Sequence, residues 1–213
     1  AAMLIRLLRW LSSRPDAIVC NSSIAADQLR QIGYCMNRGR VVANGFETEK
    51  FRPDASAKSS LCEELNLPPN AMIIGRIGRN DSQKDNAMFL RAMADLVSMR
   101  ENLHIVMAGS GIEEGREPLA SDLAPVADQL RGRLHLLGER SDVPRITAAL
   151  DISVSSSITE GFPNVVGEAM ACGVPPISTD VGDAVRLMGD AGVAIPSRDA
   201  AALLAACSRL LDM

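Results

Sequence analysis

From about Ala71 to the end of the chain, short apolar runs alternate with longer stretches in which apolar residues recur every three or four positions. Runs of the first kind predict buried strands, and stretches of the second kind predict amphipathic helices. Strands are expected at Met72–Gly78, Leu103–Ala108, Leu134–Leu137, Ile152–Ser155, Pro176–Thr179 and Val193–Ile195. Two glycines and Arg76 weaken the first of these. A helix is expected over Asp85–Met99, with Met88, Phe89, Ala92, Leu96 and Met99 on one side. Another runs from about Ala120 to Leu130 and should break or kink at Pro125. Ser141 or Asp142 caps a helix reaching Leu150, a short helix falls at Ala184–Met188, and a final one starts near Arg198. Strand–helix alternation of this kind predicts an α/β fold, a Rossmann-like doubly wound parallel sheet covered on both faces. Its crossovers should be right-handed, and its ligands should lie beyond the strands' carboxyl ends.

The first part of the chain reads differently. Leu4, Leu7, Leu8 and Leu11 recur at helical spacing within residues 1–13, with Arg6 and Arg9 off that stripe. Such a helix rests on an anionic membrane surface or is cut from a larger core, and the core reading is preferred. Asp16–Cys20 predicts a strand, Asn21 or Ser22 an N-cap, and Gly33 the stop of a helix reaching Gln31. Arg40–Ala43 predicts another strand and Asn44-Gly45 a turn. Pro53, Pro68 and Pro69 bracket one short helix around Leu61–Leu65 in a linker over residues 52–70. We therefore expect residues 1–55 to end one domain and residues 56–213 to form another. Ala1 already lies inside the expected first helix, so the chain is expected to be part of a longer one.

Composition narrows the class. At 213 residues and 47% hydrophobic, the chain can bury a sizeable core, and at 3% aromatic that core is aliphatic and Met-rich. The net charge of −4 and the lack of a long basic run argue against nucleic acid as a partner. Five scattered cysteines without a CxxC pair argue for reduced thiols, a cytoplasmic setting and no zinc site. His104 and His135 fall in expected strands and read as strand-face residues, not metal ligands. No apolar run reaches the roughly 20 residues of a membrane span.

The most informative stretch is Ser155–Ser178, SSSITEGFPNVVGEAMACGVPPIS. It reads as strand end, loop, short helix, glycine stop and next strand. Pro163 suits the first helical turn, and Asn164, Val165 and Val166 would offer N–H groups without intrahelical partners. Such donors favour an oxygen-rich or anionic ligand, and Gly161 allows its close approach. Glu160 in the loop and Glu168 on the helix are two carboxylates able to grip hydroxyls. On the first strand–helix loop, Arg79 and Lys84 are two cations able to neutralise a diphosphate. Gly109-Ser110-Gly111 reads as a turn, and Leu137-Gly138-Glu139-Arg140 as a strand-end loop in which Arg140 is a ligand contact or a surface residue.

The pattern Glu160-Gly161-Phe162-Pro163-Asn164, continued by Glu168 to Pro175, resembles the donor-site signature of the retaining family 4 glycosyltransferases of GT-B fold. Ile77-Gly78-Arg79 followed by Gln83-Lys84-Asp85 is similar to the same family's Gly-Arg-x4-Lys element. Asn21-Ser22, Val41–Phe46 and Phe51-Arg52-Pro53 resemble the end of its N-terminal acceptor domain, most of which this sequence lacks. The resemblance implies that Arg79 and Lys84 hold the donor diphosphate, that Glu160 contacts the donor sugar and that Glu168 contacts the ribose. It implies backbone contacts from Gly161, Phe162, Asn164 and Val165, and sets Gly109, Gly111, Gly138 and Arg140 near the nucleotide.

The expectation is thus the donor-binding half of a retaining glycosyltransferase. It would take a nucleotide sugar, UDP-linked, and pass the sugar to a glycan or lipid-linked acceptor without a metal or other cofactor. By the same resemblance the configuration is retained through a front-face route in which the leaving phosphate oxygen takes the acceptor proton. Half a cleft cannot align an acceptor, so the chain alone is expected to be inactive. Polysaccharide or glycolipid assembly would set the full-length enzyme in the cytoplasm, at the inner face of the membrane. The alternatives are a sugar-nucleotide epimerase on the same fold and a nucleotide-binding module without catalysis.

Overall fold

The structure, a computed structural model, describes residues 2–213; Ala1, the first residue of the expected N-terminal helix, lies outside them. The chain opens with α1 (Ala2–Leu11), β1 (Ile18–Cys20), α2 (Ser23–Gln31) and β2 (Gly39–Val41), and β1 and β2 pair in parallel. Ser22 caps α2 by accepting from the Ala25 N–H at 3.1 Å, as expected, and Gly33 at φ +88° turns the chain out of it. The leucine stripe of α1 is open: Leu4, Leu7 and Leu8 are exposed, and no core cluster among the described residues covers them. No helix among the described residues is long and apolar enough to cross a membrane.

The Asn44-Gly45 pair forms no turn. Residues 42–47 carry no regular structure; the Asn44 amide donates to Asn164 Oδ1 at 2.8 Å and Phe46 packs against Gly167, both holding the strap to α8. The linker holds a longer helix than its prolines suggested, α3 (Ala57–Leu65). Lys58 anchors it through Nζ contacts of 2.7 and 2.8 Å to Asp151, whose carboxylate also accepts the Ile73 N–H.

The remaining elements are β3 (Met72–Ile77), α4 (Asn86–Met99), β4 (Leu103–Ala108), α5 (Leu119–Leu123), α6 (Ala127–Leu130), β5 (Leu134–Leu136) and α7 (Val143–Ala148). They are followed by β6 (Ile152–Ser155), α8 (Asn164–Ala171), β7 (Pro176–Thr179), α9 (Ala184–Met188), β8 (Val193–Ile195) and α10 (Ala200–Leu211). A 3-10 turn over Ala124–Val126, carrying Pro125, divides α5 from α6 at the expected break. Six strands form one parallel sheet in the order β5-β4-β3-β6-β7-β8. The chain winds outward from β3 to β5, returns to the centre at β6 and winds outward again to β8. The reversal lies between β3 and β6, and crevices that take ligands form at such a point.

Alternation along β3 feeds two cores. Ile74 faces α4 and α10 with Phe89, Met93, Ile105 and Leu203, whereas Ile73 faces α3 and α7 with Leu61, Val106 and Ile146. Gly75 allows Leu150 to lie on the strand, since an added Cβ would sit 2.4 Å from its Cδ1. The expected face of α4 is buried at Met88, Phe89, Ala92 and Leu96, but Met99 is exposed, because it is the last helical residue, where the chain turns away toward β4. Asp142 stands at the start of α7 without capping it; its carboxylate is drawn instead to Arg140 and Arg145.

His104 on β4 and His135 on β5 meet at Nδ1···Nε2 3.1 Å. Burial lowers both pKa values, with Arg133 adding to the effect on His104 and His104 to that on His135. A folded-state pKa below the unfolded value favours the neutral rings, so their stability contribution is present above the unfolded pKa and is lost as pH falls. We expect the unfolding free energy to decline as pH drops below about 6.5. The double variant His104→Gln, His135→Gln should flatten that decline in denaturant titrations, and an unchanged slope would refute the assignment.

Candidate functional site at the strand carboxyl ends

Three glycines let the loops leaving β3, β4 and β5 lie against one another. Gly109, at φ +144°, carries no Cβ because one would sit 2.2 Å from the Gly78 carbonyl oxygen. Its N–H donates to the Gly138 carbonyl at 2.7 Å, and Gly138 donates to Ile112 O at 2.9 Å. Gly109 and Gly138 thus hold backbone to backbone at the floor of the crevice.

The β3–α4 and β6–α8 loops meet across the winding reversal. Asp81 caps a 3-10 turn over Ser82–Lys84, which aims Lys84 across the crevice. Lys84 Nζ forms an ion pair with Glu160 Oε1, the two side chains being 23% and 16% exposed. Ser157 Oγ donates to the same Glu160 oxygen at 2.7 Å. Ser156 Oγ donates to Lys84 O, and Ile158 N–H to Gln83 O, each at 2.7 Å. Both partners are therefore set by neighbours on either side.

Beneath them lies Arg76, a charged residue whose only trace in the sequence was its interruption of an apolar run. It is 2% exposed, and its Nη1 has no hydrogen-bond partner. Burial lowers its pKa to about 10, while the carboxylates of Glu160, Asp122 and Asp85 pull the other way. It remains a cation at neutral pH.

The segment from Glu160 to Asn164 is held from two sides. Gly161 O accepts the Asp183 N–H at 3.0 Å, and the absent Cβ of Gly182 would come within 2.5 Å of Glu160 O. The Asp183 carboxylate in turn accepts the N–H groups of Ser23 and Ile24 at 2.8 and 3.1 Å, capping α2. Phe162 stacks on Phe46 with ring centroids 6.1 Å apart, and Phe46 occupies the space that a Cβ on Gly167 would need. Phe162 and Phe46 also line a 320 Å³ cavity with Asn44, Asp183 and Arg186.

Pro163 is the N-cap of α8, at φ −80° and ψ 92°, one residue earlier than its expected position inside the first turn. The Val166 N–H is consequently used by Pro163 O at 3.1 Å, which leaves Asn164 and Val165 as the first-turn donors. At the other end Gly173 donates to Met170 O and Val174 to Ala169 O, with Gly173 at φ +75°, so the expected glycine stop is a Schellman motif. Glu168 lies at the start of the second turn of α8, apart from the ion pair. It is half-buried, and burial raises its pKa.

Arg79 lines a separate hollow of 430 Å³ with Asn80, Asp81, Ser110, Gly111, Arg116 and Glu117. Gly111 thus falls in the same hollow as Arg79. Arg140 is held elsewhere: its guanidinium donates to Asp142 at 2.8 and 2.9 Å and to Glu64 at 2.7 Å. Arg145 completes this network through the same two carboxylates. No such pairing was visible in the sequence, since Glu64 comes from α3.

An open parallel sheet of this order, with a charged pair at the winding reversal, is one half of a GT-B fold. The model of the family "Glycosyl transferases group 1" matches residues 68–213, and the chain belongs to that family. Among curated proteins it is similar to the lipopolysaccharide core biosynthesis mannosyltransferase LpsB of Rhizobium meliloti (strain 1021), 29% identical over 96% of this chain and 58% of that protein. It is also similar to the D-inositol 3-phosphate glycosyltransferase of Saccharomonospora viridis, 30% identical over 86% of this chain and 44% of that protein. The chain thus spans about half the length of the curated relatives it matches. Among solved structures, Anabaena Alr3699/HepE in complex with UDP superposes at TM-score 0.87, with 22% identity over 100% of this chain and 58% of that one. WaaG, a glycosyltransferase involved in lipopolysaccharide biosynthesis, superposes at TM-score 0.76, with 18% identity over 92% of this chain and 53% of that one.

Hydrogen bonds from Arg140 and Arg145 hold Asp142 and Glu64 below the usual carboxylate range. Depressed carboxylate pKa values add stability above about pH 4 that is lost below it. At neutral pH, Arg140→Ala should lower the unfolding free energy by about 1 kcal/mol, the partners being partly exposed. That deficit should shrink in acid, and nucleotide affinity should be unchanged. A clear loss of nucleotide affinity in a variant of unaltered stability would return Arg140 to the ligand site.

Proposed function

We propose that this chain is the nucleotide-sugar-binding half of a retaining family 4 glycosyltransferase, with UDP as the nucleotide and a glycan or lipid-linked acceptor. Residues 1–55 would be the end of the acceptor domain and residues 56–213 the donor domain. The observation that carries the reading is the Lys84–Glu160 pair at the winding reversal, beside the free first-turn amides of α8. HepE, a neighbour in fold, has been solved with UDP and with UDP-glucose, which supports a UDP-linked donor.

The chemistry follows from charge. An ammonium has three N–H donors, so Lys84 can keep Glu160 while taking a phosphate oxygen. Arg79 adds a forked contact from the same loop. These fixed cations meet the charge that grows on the departing diphosphate, the usual locus of the largest electrostatic term. Glu160, oriented by Lys84 and Ser157, would accept from donor-sugar hydroxyls, and Glu168 from the ribose. The route would be front-face and metal-free, in the cytoplasm at the inner membrane face. The epimerase alternative loses support, since the two histidines it would recruit engage each other on β4 and β5.

Calorimetry should detect UDP binding to this chain with Kd near ~1 mM, about −4 kcal/mol. No binding at tens of millimolar by a folded sample would refute the reading. In the full-length enzyme, Lys84→Ala should lower turnover by roughly 100-fold or more, with a stability loss of about 1 kcal/mol that leaves the domain folded. Unaltered turnover would remove Lys84 from the site.

A further inference from the structure

The hollow between the β3–α4 and β4–α5 loops holds two guanidiniums, and the proposed chemistry uses one. Arg79 comes from the first loop; Arg116 comes from the second, a segment that no sequence motif singled out. Neither forms an ion pair or a side-chain hydrogen bond among the described residues. Two carboxylates share the hollow, but each is engaged by backbone. Asp81 Oδ1 accepts the Gln83 N–H at 2.9 Å, and Glu117 Oε2 accepts the Ser121 N–H at 3.4 Å.

The backbone that carries the two cations is braced. Asn80 donates through Nδ2 to the carbonyls of Glu117 at 3.0 Å and Arg116 at 3.4 Å. Its own N–H donates to Ser110 O at 2.8 Å, and its Oδ1 accepts from Asn86 Nδ2 at 3.0 Å. Asn86 is 1% exposed and its Oδ1 has no partner, so the brace extends into the domain, with a free polar group at its lower end. Gly111, at φ +76°, leaves the wall bare next to Asn80, where a Cβ would stand 3.1 Å from the Asn80 Cβ. One buried-side asparagine therefore fixes the Arg116 backbone relative to Arg79 and Ser110.

Two forked cations on a braced backbone, lining a hollow of 430 Å³ that Ser110 also lines, match the chemistry of adjacent phosphate groups. We propose that Arg116 is a second guanidinium for the donor's diphosphate, closing with Arg79 on its two phosphate groups. This rests on the nucleotide-sugar reading given above. It makes Arg116 a determinant of diphosphate over monophosphate donors, with each guanidinium taking one phosphate group. Lys84 then faces the sugar-proximal end, next to Glu160.

The test is calorimetry of this chain with inorganic pyrophosphate, UDP and UMP, at low and high salt. Arg116→Ala should weaken pyrophosphate and UDP by roughly tenfold and UMP by much less, with the difference fading as salt screens it. Arg116→Lys should restore part of the loss, and Glu117→Gln should leave binding intact or tighter. Arg116 is exposed, so an unchanged melting temperature should accompany each variant. Equal affinities of wild type and Arg116→Ala for pyrophosphate, or no pyrophosphate binding by the wild type, would overturn the proposal. If UDP binds but is indifferent to Arg116, this assignment alone fails. If pyrophosphate binds through Arg116 while UDP does not bind, the nucleotide reading fails and the donor assignment with it.

Discussion

The reversal of winding between β3 and β6 is the constraint on which the rest of the molecule turns. Strands on one side of it are followed outward in one direction, and strands on the other side in the opposite direction, so the crossover connections diverge and leave a gap above the two central strands. The loops that border this gap are about seventy-five residues apart in sequence. They are joined by few contacts: the Lys84–Glu160 pair, the Ser156 hydroxyl on Lys84 O and the Ile158 N–H on Gln83 O. Arg76 lies buried below, its Nη1 without a hydrogen-bond partner but within the field of three carboxylates. A buried cation is unfavourable in an apolar core, and here the surrounding negative charge offsets part of that cost.

Stability and geometry are supplied by different parts. The aliphatic cores on the two faces of the sheet provide most of the driving force for folding. The ion pairs provide little net energy, because partly exposed pairs are worth at most about 1 kcal/mol and buried ones lose their gain to desolvation. Their contribution is positional. Lys84 and Glu160 hold two distant loops together, Asn80 holds a third segment to the first, and Arg140 with Arg145 ties α3 to the start of α7.

The N-terminal segment is fastened to the same place. Asp183 donates its N–H to Gly161 O while its carboxylate caps α2, and Phe46 wedges between Phe162 and Gly167. A displacement of α2 or of the strap over residues 42–47 would therefore be felt first at Gly161 and Phe162, the residues next to Glu160. Coupling of this kind needs no long path, since a single aspartate touches both sides.

Much of the fold was legible because its central strands β3, β4, β6 and β7 are largely buried and its helices periodic, and both leave a plain trace in the order of residues. The glycine stop at Gly173, the break at Pro125 and the cap at Ser22 were legible for a local reason: each depends on backbone chemistry within a few residues. Local reasoning failed where a distant partner outbid the local preference. Asn44-Gly45 is held by Asn164 and by the packing of Phe46 instead of turning, Asp142 leaves its cap for two arginines, and Arg140 is claimed by Glu64 from a helix some seventy-six positions earlier. By itself, then, the sequence determined which segments are strands and helices and which residue types gather at the strand ends. Only the tertiary structure decided which of those residues meet. Sheet order is a long-range choice that brought Glu160 to Lys84, Arg116 to Arg79 and Arg76 beneath them, and no spacing along the chain encodes those distances.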